Sequence, residues 1–286
     1  MIKKGIILAG GTGSRMSPVT KAVNKQLLPL YDKPLFYYPL SVLMLANIKD
    51  ILIIVNKGQI EQFKKVLPNG NNLGIKITYA EQEKPRGLPD ALIVGEKFIG
   101  NGSVALVLGD NFFFGQSLSR KLQDCTKLSS GAKIFLHPVK DSSLYGIATI
   151  NKKKIISVVE KPKKAKSNLA ITGIYFLDNK AIQYSKSLKP SKRNEIEIVD
   201  LLKKYKNKKQ LSYEILGRGG AWLDTGSIKD FNNTSNFVAT IENRQGFKIG
   251  CLEEIAYRKK WIGKKHLQRA INFYGKCEYS KYISNL

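Results

Sequence analysis

The sequence predicts an α/β fold: a Rossmann-like, three-layer arrangement around a mixed, mostly parallel central sheet, with small antiparallel and helical additions. Three observations carry this. Apolar runs of strand length recur at 5–9, 51–55, 75–80 and 104–108, and segments 35–46 and 59–67, with apolar residues at helical spacing, lie between the first of them. Strands alternating with helices form βαβ units, whose mostly parallel sheet is covered on both faces. A chain of 286 residues with 43% hydrophobic content can bury one large core, with room for a small appendage.

The first strand, 5–9, runs straight into Gly10-Gly11-Thr12-Gly13-Ser14-Arg15. Helix 35–46, strand 51–55, helix 59–67 and strands 75–80 and 104–108 follow. After residue 130 the pattern changes. Segments 134–139, 146–150, 155–159 and 173–177 are strand-like with little helix between them, which predicts an antiparallel or mixed extension. Residues 195–206 read as a helix and 211–216 as a returning strand. From 227 the tail reads as helical, at 228–244, 253–259 and 264–272. No internal repeat occurs, and in particular no hexapeptide β-helix repeat.

The glycine loop after the first strand is the most informative stretch. Its glycines let backbone N–H groups approach an anion closely, because no Cβ intervenes and positive φ is accessible. Arg15, and Lys25 ten residues later, add two full charges, a combination suited to polyphosphate. Two familiar phosphate loops are excluded. No Lys follows the glycine pair at P-loop spacing, and Met16 stands where the third glycine of a dinucleotide fingerprint belongs.

This run, with Lys25-Gln26-Leu27-Leu28-Pro29-Leu30-Tyr31-Asp32-Lys33-Pro34 after it, resembles the signature of the sugar-phosphate nucleotidylyltransferases. The version is similar to that of glucose-1-phosphate thymidylyltransferases, the first enzymes of the dTDP-L-rhamnose pathway. Leu108-Gly109-Asp110-Asn111, Tyr145-Gly146, Glu160-Lys161-Pro162, Thr172-Gly173-Ile174-Tyr175, 195–200 (EIEIVD) and Trp222-Leu223-Asp224-Thr225-Gly226 fall in that family's order. So do 242–246 (ENRQG) and 253–258 (EEIAYR), and the match spans essentially the whole chain. The resemblance implies a nucleotidyltransferase domain over 1–226, binding nucleotide through about 1–130 and sugar phosphate through about 131–226. Residues 227–286 would be a helical segment packed on it.

The implied reaction joins dTTP to α-D-glucose 1-phosphate and releases pyrophosphate, giving dTDP-glucose. The attacking phosphate is already ionised near neutral pH, with a second pKa of about 6. The chemistry therefore needs cations, Mg²⁺ and in-line positioning more than a strong base. Arg15 would hold the triphosphate and the departing pyrophosphate, and Lys25 would bridge the sugar phosphate and the α-phosphate. Outside this reading Arg15 is a helix-start residue in a surface salt bridge and Lys25 one exposed lysine among 40. The resemblance places nucleotide contacts at Leu8, Gly10, Gly11, Thr12, Gly13, Ser14, Arg15, Gln26, Gln82, Pro85, Gly87 and Asp110. It places sugar-phosphate contacts at Lys25, Tyr145, Gly146, Glu160, Lys161, Thr172, Gly173 and Trp222, and metal ligands at Asp110 and Asp224. Asp110 follows a strand's carboxyl end, where ligands bind in open α/β sheets; either Asp would otherwise be a turn or cap residue. Gln82 would read the thymine imide edge. Pro89-Asp90 departs from the family's usual Ala-Gln and bears on the choice between dTTP and UTP. Gly220, where an aromatic is common, is expected to loosen packing near Trp222. Phe112, Phe113 and Phe114 read as core or interface.

The formal charge of +26 invites a nucleic-acid reading, but it comes from 40 Lys against 8 Arg spread along the chain. Such lysines suit solvated faces, and base and phosphate recognition leans on arginine forks. Cys125, Cys251 and Cys277 form no metal or CxxC pattern, and His137 and His266 complete none. With no apolar leader and no 18-residue apolar run, a cytoplasmic protein with reduced thiols and no membrane partner is expected. The family further implies a homotetramer with feedback inhibition by dTDP-L-rhamnose between subunits, with Arg244, Tyr257 and Arg258 as interface candidates. Two other readings remain: the same chemistry with UTP or CTP, and a non-catalytic nucleic-acid-binding or regulatory relative.

Overall fold

A computed structural model describes residues 1–191 and 194–286. Among these, the strands in chain order are β1 Lys4–Ala9, β2 Pro29–Leu30, β3 Lys33–Pro34, β4 Asp50–Asn56, β5 Lys76–Gln82, β6 Val104–Leu108 and β7 Asn111–Gly115. They continue with β8 Ala132–Pro138, β9 Gly146–Asn151, β10 Lys154–Glu160, β11 Leu169–Leu177, β12 Leu211–Ile215 and β13 Gly220–Asp224. The main sheet runs β10-β9-β11-β6-β1-β4-β5, with β8 paired to β11 and β12 to β8. β6, β1, β4 and β5 are mutually parallel, while β11 returns antiparallel to β6. The sheet is thus mixed and mostly parallel, as the alternating pattern implies.

Its register explains the apolar runs. Ile6 lies level with Leu52 and Leu106, and Ile7 with Ile53 and Val107. Alternate residues therefore enter two cores, one on each face. Helices Tyr37–Leu45 and Leu252–Arg258 cover one face, and helices Asp90–Val94 and Ile198–Asn207 the other. Each fully buried Ile or Leu here stabilises the fold by about 1.5–3 kcal/mol.

Several elements lie outside the sequence reading. Phe112 and Phe113 are core, as expected, with half-buried Phe114 packed against it, but they form strand β7 paired with β13, Trp222 opposite Phe113. Helices Leu118–Thr126, Lys180–Lys186 and Glu278–Ser284 are short and went unread. The helix expected over 195–206 begins only at Ile198, because Ile196 N–H is committed to Arg86 O at 2.7 Å and Glu197 is extended, with a bend at 194–195 before it. The tail helix Ile228–Gln245 packs against β2 and β13. Buried Lys33 anchors it, with its ammonium 3.1 Å from Glu242 and paired also with Asp32.

Candidate active site

The chain leaves β1 for β4 and β5 on one side and later returns to β6 on the other. Such a switch point opens a crevice at the carboxyl ends of the strands. Gly10 follows β1, Asn56 and Gln82 end β4 and β5, and Gly109-Asp110 follows β6. The resulting cavity, about 340 Å³, is lined by Leu8, Gly10, Gly11, Gln26, Gln82, Pro85, Gly87 and Asp110 from the nucleotide set, and by Glu160 and Lys161 from the sugar set.

The glycine loop is braced rather than loose. Gly11 N–H donates to Asn56 Oδ1 at 2.8 Å, and Asn56 Nδ2 donates to Gly11 O at 2.9 Å. A Cβ on Gly10 would lie 3.1 Å from Gln82 Oε1 and 3.2 Å from Asn56 Oδ1, so a side chain there would push both amides aside. Gln26 is buried with Oε1 unpartnered among the described residues, an acceptor still seeking a donor in this cavity. Thr12, Ser14 and Arg15 are exposed beyond the loop.

Lys25 sits in a single 3₁₀ turn, Lys25–Leu27, capped by Asn24. Asn24 accepts from Gln26 N–H at 2.8 Å and donates to Ala9 O at 3.1 Å, tying the turn to β1. The buried ammonium of Lys25 lies 2.8 Å from Asp110 Oδ2. Burial alone would raise the Asp110 pKa. Lys25, together with the Asn111 amide donating at 3.0 Å, outweighs burial and holds the carboxyl below its usual range.

The β7–β13 ribbon brings the second aspartate alongside. Asp224 pairs with Asn111, and Thr225 donates through N–H (3.2 Å) and Oγ1 (2.8 Å) to Asp110 O. Burial first, and the Asp110 charge second, push the Asp224 carboxyl up to about 6, with Lys25 and Arg15 partly offsetting them. Two carboxylates competing for ionisation are what a divalent cation relieves. A hard divalent ion takes one or two carboxylates and completes its shell with phosphate oxygens and water, and Asp110 and Asp224 are a carboxylate pair of that kind. Arg15 converges here too: a Cβ on Gly226 would lie 3.1 Å from both its Nη atoms and 3.1 Å from Asp224 Oδ2.

On the sugar side, the Tyr145 and Trp222 rings meet edge-on at 5.0 Å, and Trp222 Nε1 donates to Asn111 Oδ1 at 2.5 Å. A Cβ on Gly173 would strike that oxygen at 2.6 Å, and one on Gly146 would lie 3.3 Å from Glu160 Oε2. Lys161 N–H donates to Tyr145 O at 3.0 Å. Thr172 is fully buried, and its hydroxyl donates to Phe135 O at 3.1 Å, so this side chain is spent inside the sheet. Gly220 does not loosen the packing. A Cβ there would lie 2.6 Å from Leu216 Cγ, which already fills the space.

The sequence reading missed Leu88, Leu108, Glu195, Ile196, Glu197 and Ile198, which also line the cavity. The 195–198 wall lies in the segment whose apolar spacing predicts a helix, but the chain turns helical only at Ile198 and leaves Glu195 and Glu197 along the cavity. It is clamped at Gly87 (φ 107°), where a Cβ would lie 2.2 Å from Ile196 O. Asp90 is no free charge beside the base, for its carboxylate accepts from Gln82 Nε2 at 2.7 Å.

Glycine loop, Lys25, Arg15 and two neighbouring aspartates gather at the carboxyl ends of the strands, and the family model described as nucleotidyl transferase matches residues 4–241. The chain belongs to the nucleotidyl transferase family. It is 48% identical over 284 residues to the glucose-1-phosphate thymidylyltransferase of Neisseria meningitidis, a match covering 99% of each chain. Among solved structures it is similar to a Bacillus anthracis protein described as a glucose-1-phosphate thymidylyltransferase in complex with sucrose. That likeness has 39% identity and TM-score 0.76, covering 82% of this chain and 94% of that one. It is also similar to a UDP-glucose pyrophosphorylase complexed with UDP-glucose, at 27% identity and TM-score 0.74, covering 84% and 99%.

Proposed function

We propose that the protein transfers a thymidylyl group from dTTP to α-D-glucose 1-phosphate, giving dTDP-glucose and pyrophosphate. The observation that carries this is Lys25, buried and bonded to Asp110 just after β6, in a turn that Asn24 ties to the end of β1. The near full-length likeness to named thymidylyltransferases supports the choice of reaction.

In this reading the glycine-loop N–H groups other than that of Gly11, which Asn56 occupies, act with Arg15 to hold the triphosphate and retain the leaving pyrophosphate. Lys25 draws the sugar phosphate to the α-phosphorus, and Glu160, Lys161, Tyr145 and Trp222 seat the hexose phosphate. Gln82, Pro85 and Gly87 receive the base, and Gln26 the rest of the nucleoside. Asp110 and Asp224 hold Mg²⁺, which supplies charge neutralisation on the phosphates. No general base is required, because the nucleophile is already an anion.

The likeness to a UDP-glucose pyrophosphorylase keeps UTP as a second reading, since uracil carries the same imide edge. Pyrophosphate release from dTTP, UTP and CTP with glucose 1-phosphate, with and without Mg²⁺, tests both. The highest kcat/KM with dTTP, abolished by EDTA, is expected, and no release from any nucleotide refutes the proposal. We place the enzyme in the cytoplasm, at the entry to dTDP-L-rhamnose synthesis for cell-surface polysaccharide. We propose it as a homotetramer inhibited by dTDP-L-rhamnose at an inter-subunit site. A second cavity, about 380 Å³, is bordered by Lys248, Arg258 and Lys259 together with Glu254; Lys248 and Arg258 are paired with carboxylates, so Lys259 is the charge that supports an anionic effector there. Inhibition kinetics and sedimentation test that part.

A further inference from the structure

A glutamine that reads a base can present either its oxygen or its NH₂, and a flip of the amide exchanges them. In this chain the flip is decided by a neighbour. Gln82 ends β5 at 4% exposure, and its Nε2 donates to Asp90 Oδ2 at 2.7 Å. Asp90 is itself 3% exposed at the start of helix Asp90–Val94. Arg86 Nε lies 3.8 Å from Asp90 Oδ1 and supports the charge. A carboxylate accepts and never donates. Turning Gln82 over would set Oε1 against a carboxylate oxygen, two acceptors at hydrogen-bond distance in a buried place. The amide oxygen is therefore held on the opposite side, toward Gly10 and the cleft, where a Cβ on Gly10 would lie 3.1 Å from it. Oε1 accepts no hydrogen bond from the described residues, so its acceptor capacity is kept for what enters the cavity.

An acceptor fixed on this wall and meeting the base at N3 demands a donor at that position. Thymine and uracil offer their imide N3–H, whereas cytosine presents a lone pair at that position. We propose that Asp90 is a positioning residue that locks the Gln82 amide oxygen toward the base, excluding cytosine while treating thymine and uracil alike. The inference rests on the nucleotidyl transfer proposed above and on Gln82 facing the base. It bears on a position where this chain departs from the expected Ala-Gln pair. It also moves the consequence of that departure from the choice between dTTP and UTP to the exclusion of cytosine.

The test is kcat/KM for dTTP, dUTP and dCTP, which hold the sugar constant, with glucose 1-phosphate and Mg²⁺, in the native enzyme, Asp90→Asn and Asp90→Ala. In the native enzyme dCTP should fall about 100-fold or more below dTTP, since a mispaired buried polar group rejects strongly. Asn keeps the shape of Asp but can offer either an oxygen or an NH₂, so both amide orientations become available to Gln82. In Asp90→Asn and Asp90→Ala the gap between dTTP and dCTP should shrink about tenfold or more, while the dTTP to dUTP ratio stays fixed. A purely structural role would lower all three values in proportion, and that result overturns the inference. So does a native enzyme that uses dCTP as well as dTTP. If Asp90→Ala fails to fold, Asp90→Asn decides alone. A native enzyme that releases pyrophosphate from none of the three refutes the proposed function instead, and the two failures are thereby distinguished.

Discussion

Neutralising Asp224 should stabilise the metal-free protein while slowing the enzyme. Burial, and then the Asp110 charge, raise the Asp224 carboxyl from an ordinary 3.8 to about 6. Folding therefore increases its affinity for a proton. The sign follows: this group favours the fold most when protonated, its contribution falls as pH climbs from about 4 to about 6, and it is constant above that. A rise of this size corresponds to about 3 kcal/mol, and partial solvent contact brings the expected effect to about 1–3 kcal/mol. Asp224→Asn keeps the shape and removes the charge. In urea unfolding at pH 7.5 with EDTA, the variant should be about 1–3 kcal/mol more stable than the native protein, and at pH 4 the two should coincide. Adding Mg²⁺ should stabilise the native protein by mass action and leave the variant unmoved. Pyrophosphate release should fall about 10²–10³-fold. A variant less stable than the native protein at pH 7.5, or one showing the same difference at both pH values, refutes the reasoning.

Lys25→Met leaves the Asp110 carboxylate without its cation. It should cost about 2–3 kcal/mol in urea unfolding and about 10²–10³ in kcat. Lys25→Met with Asp110→Asn should recover most of the stability and none of the activity. Because Asp110 is held below its usual range, the stability this pair gives is present at neutral pH and is lost as pH falls through that lowered value. Gly87→Ala drives a Cβ to 2.2 Å from Ile196 O at φ 107°. It should cost about 1–3 kcal/mol and raise KM for dTTP more than it lowers kcat. Glu253 is 3% exposed and accepts from the hydroxyls of Tyr274 (2.8 Å) and Tyr279 (2.7 Å), joining the tail helices to the body. Glu253→Leu should lower stability by about 2–4 kcal/mol in thermal or urea unfolding, with kcat unchanged at 25 °C.

Strands 51–55 and 104–108 were legible because a parallel strand buried on both faces must be apolar throughout, and few other structures ask for that. The β7–β13 ribbon was not, because three consecutive aromatics show no alternation and the pairing joins residues more than a hundred apart. Lys25 and Arg15 stood out by motif and charge. Asn24 and Asn111 did not, since each works through bonds to distant groups, Asn24 to Ala9 O and Asn111 to Trp222 Nε1 and Asp110. Asp90 was visible as a departure beside the base, but its effect depends on a bond to Gln82 that no spacing rule encodes.

The same distinction between charge counted and charge placed decides against the nucleic-acid reading. The chain carries +26 overall even after every acid is counted, but that surplus is mostly lysine spread along the whole chain rather than gathered in one groove. The cavity has the opposite character. Asp110, Glu160, Glu195 and Glu197 line it, and Lys161 is the basic residue among the lining set. A bare polyanion threaded through such a cleft would meet carboxylates rather than a groove of cations, whereas strand-binding channels are positive along the backbone track. A nucleotide that arrives with a divalent cation meets the reverse situation, since the aspartates then attract the ion it carries. The surplus of surface lysines acts further out, raising the local concentration of phosphorylated substrates in a salt-dependent way without choosing among them. Selectivity therefore rests on the few buried contacts at the strand ends.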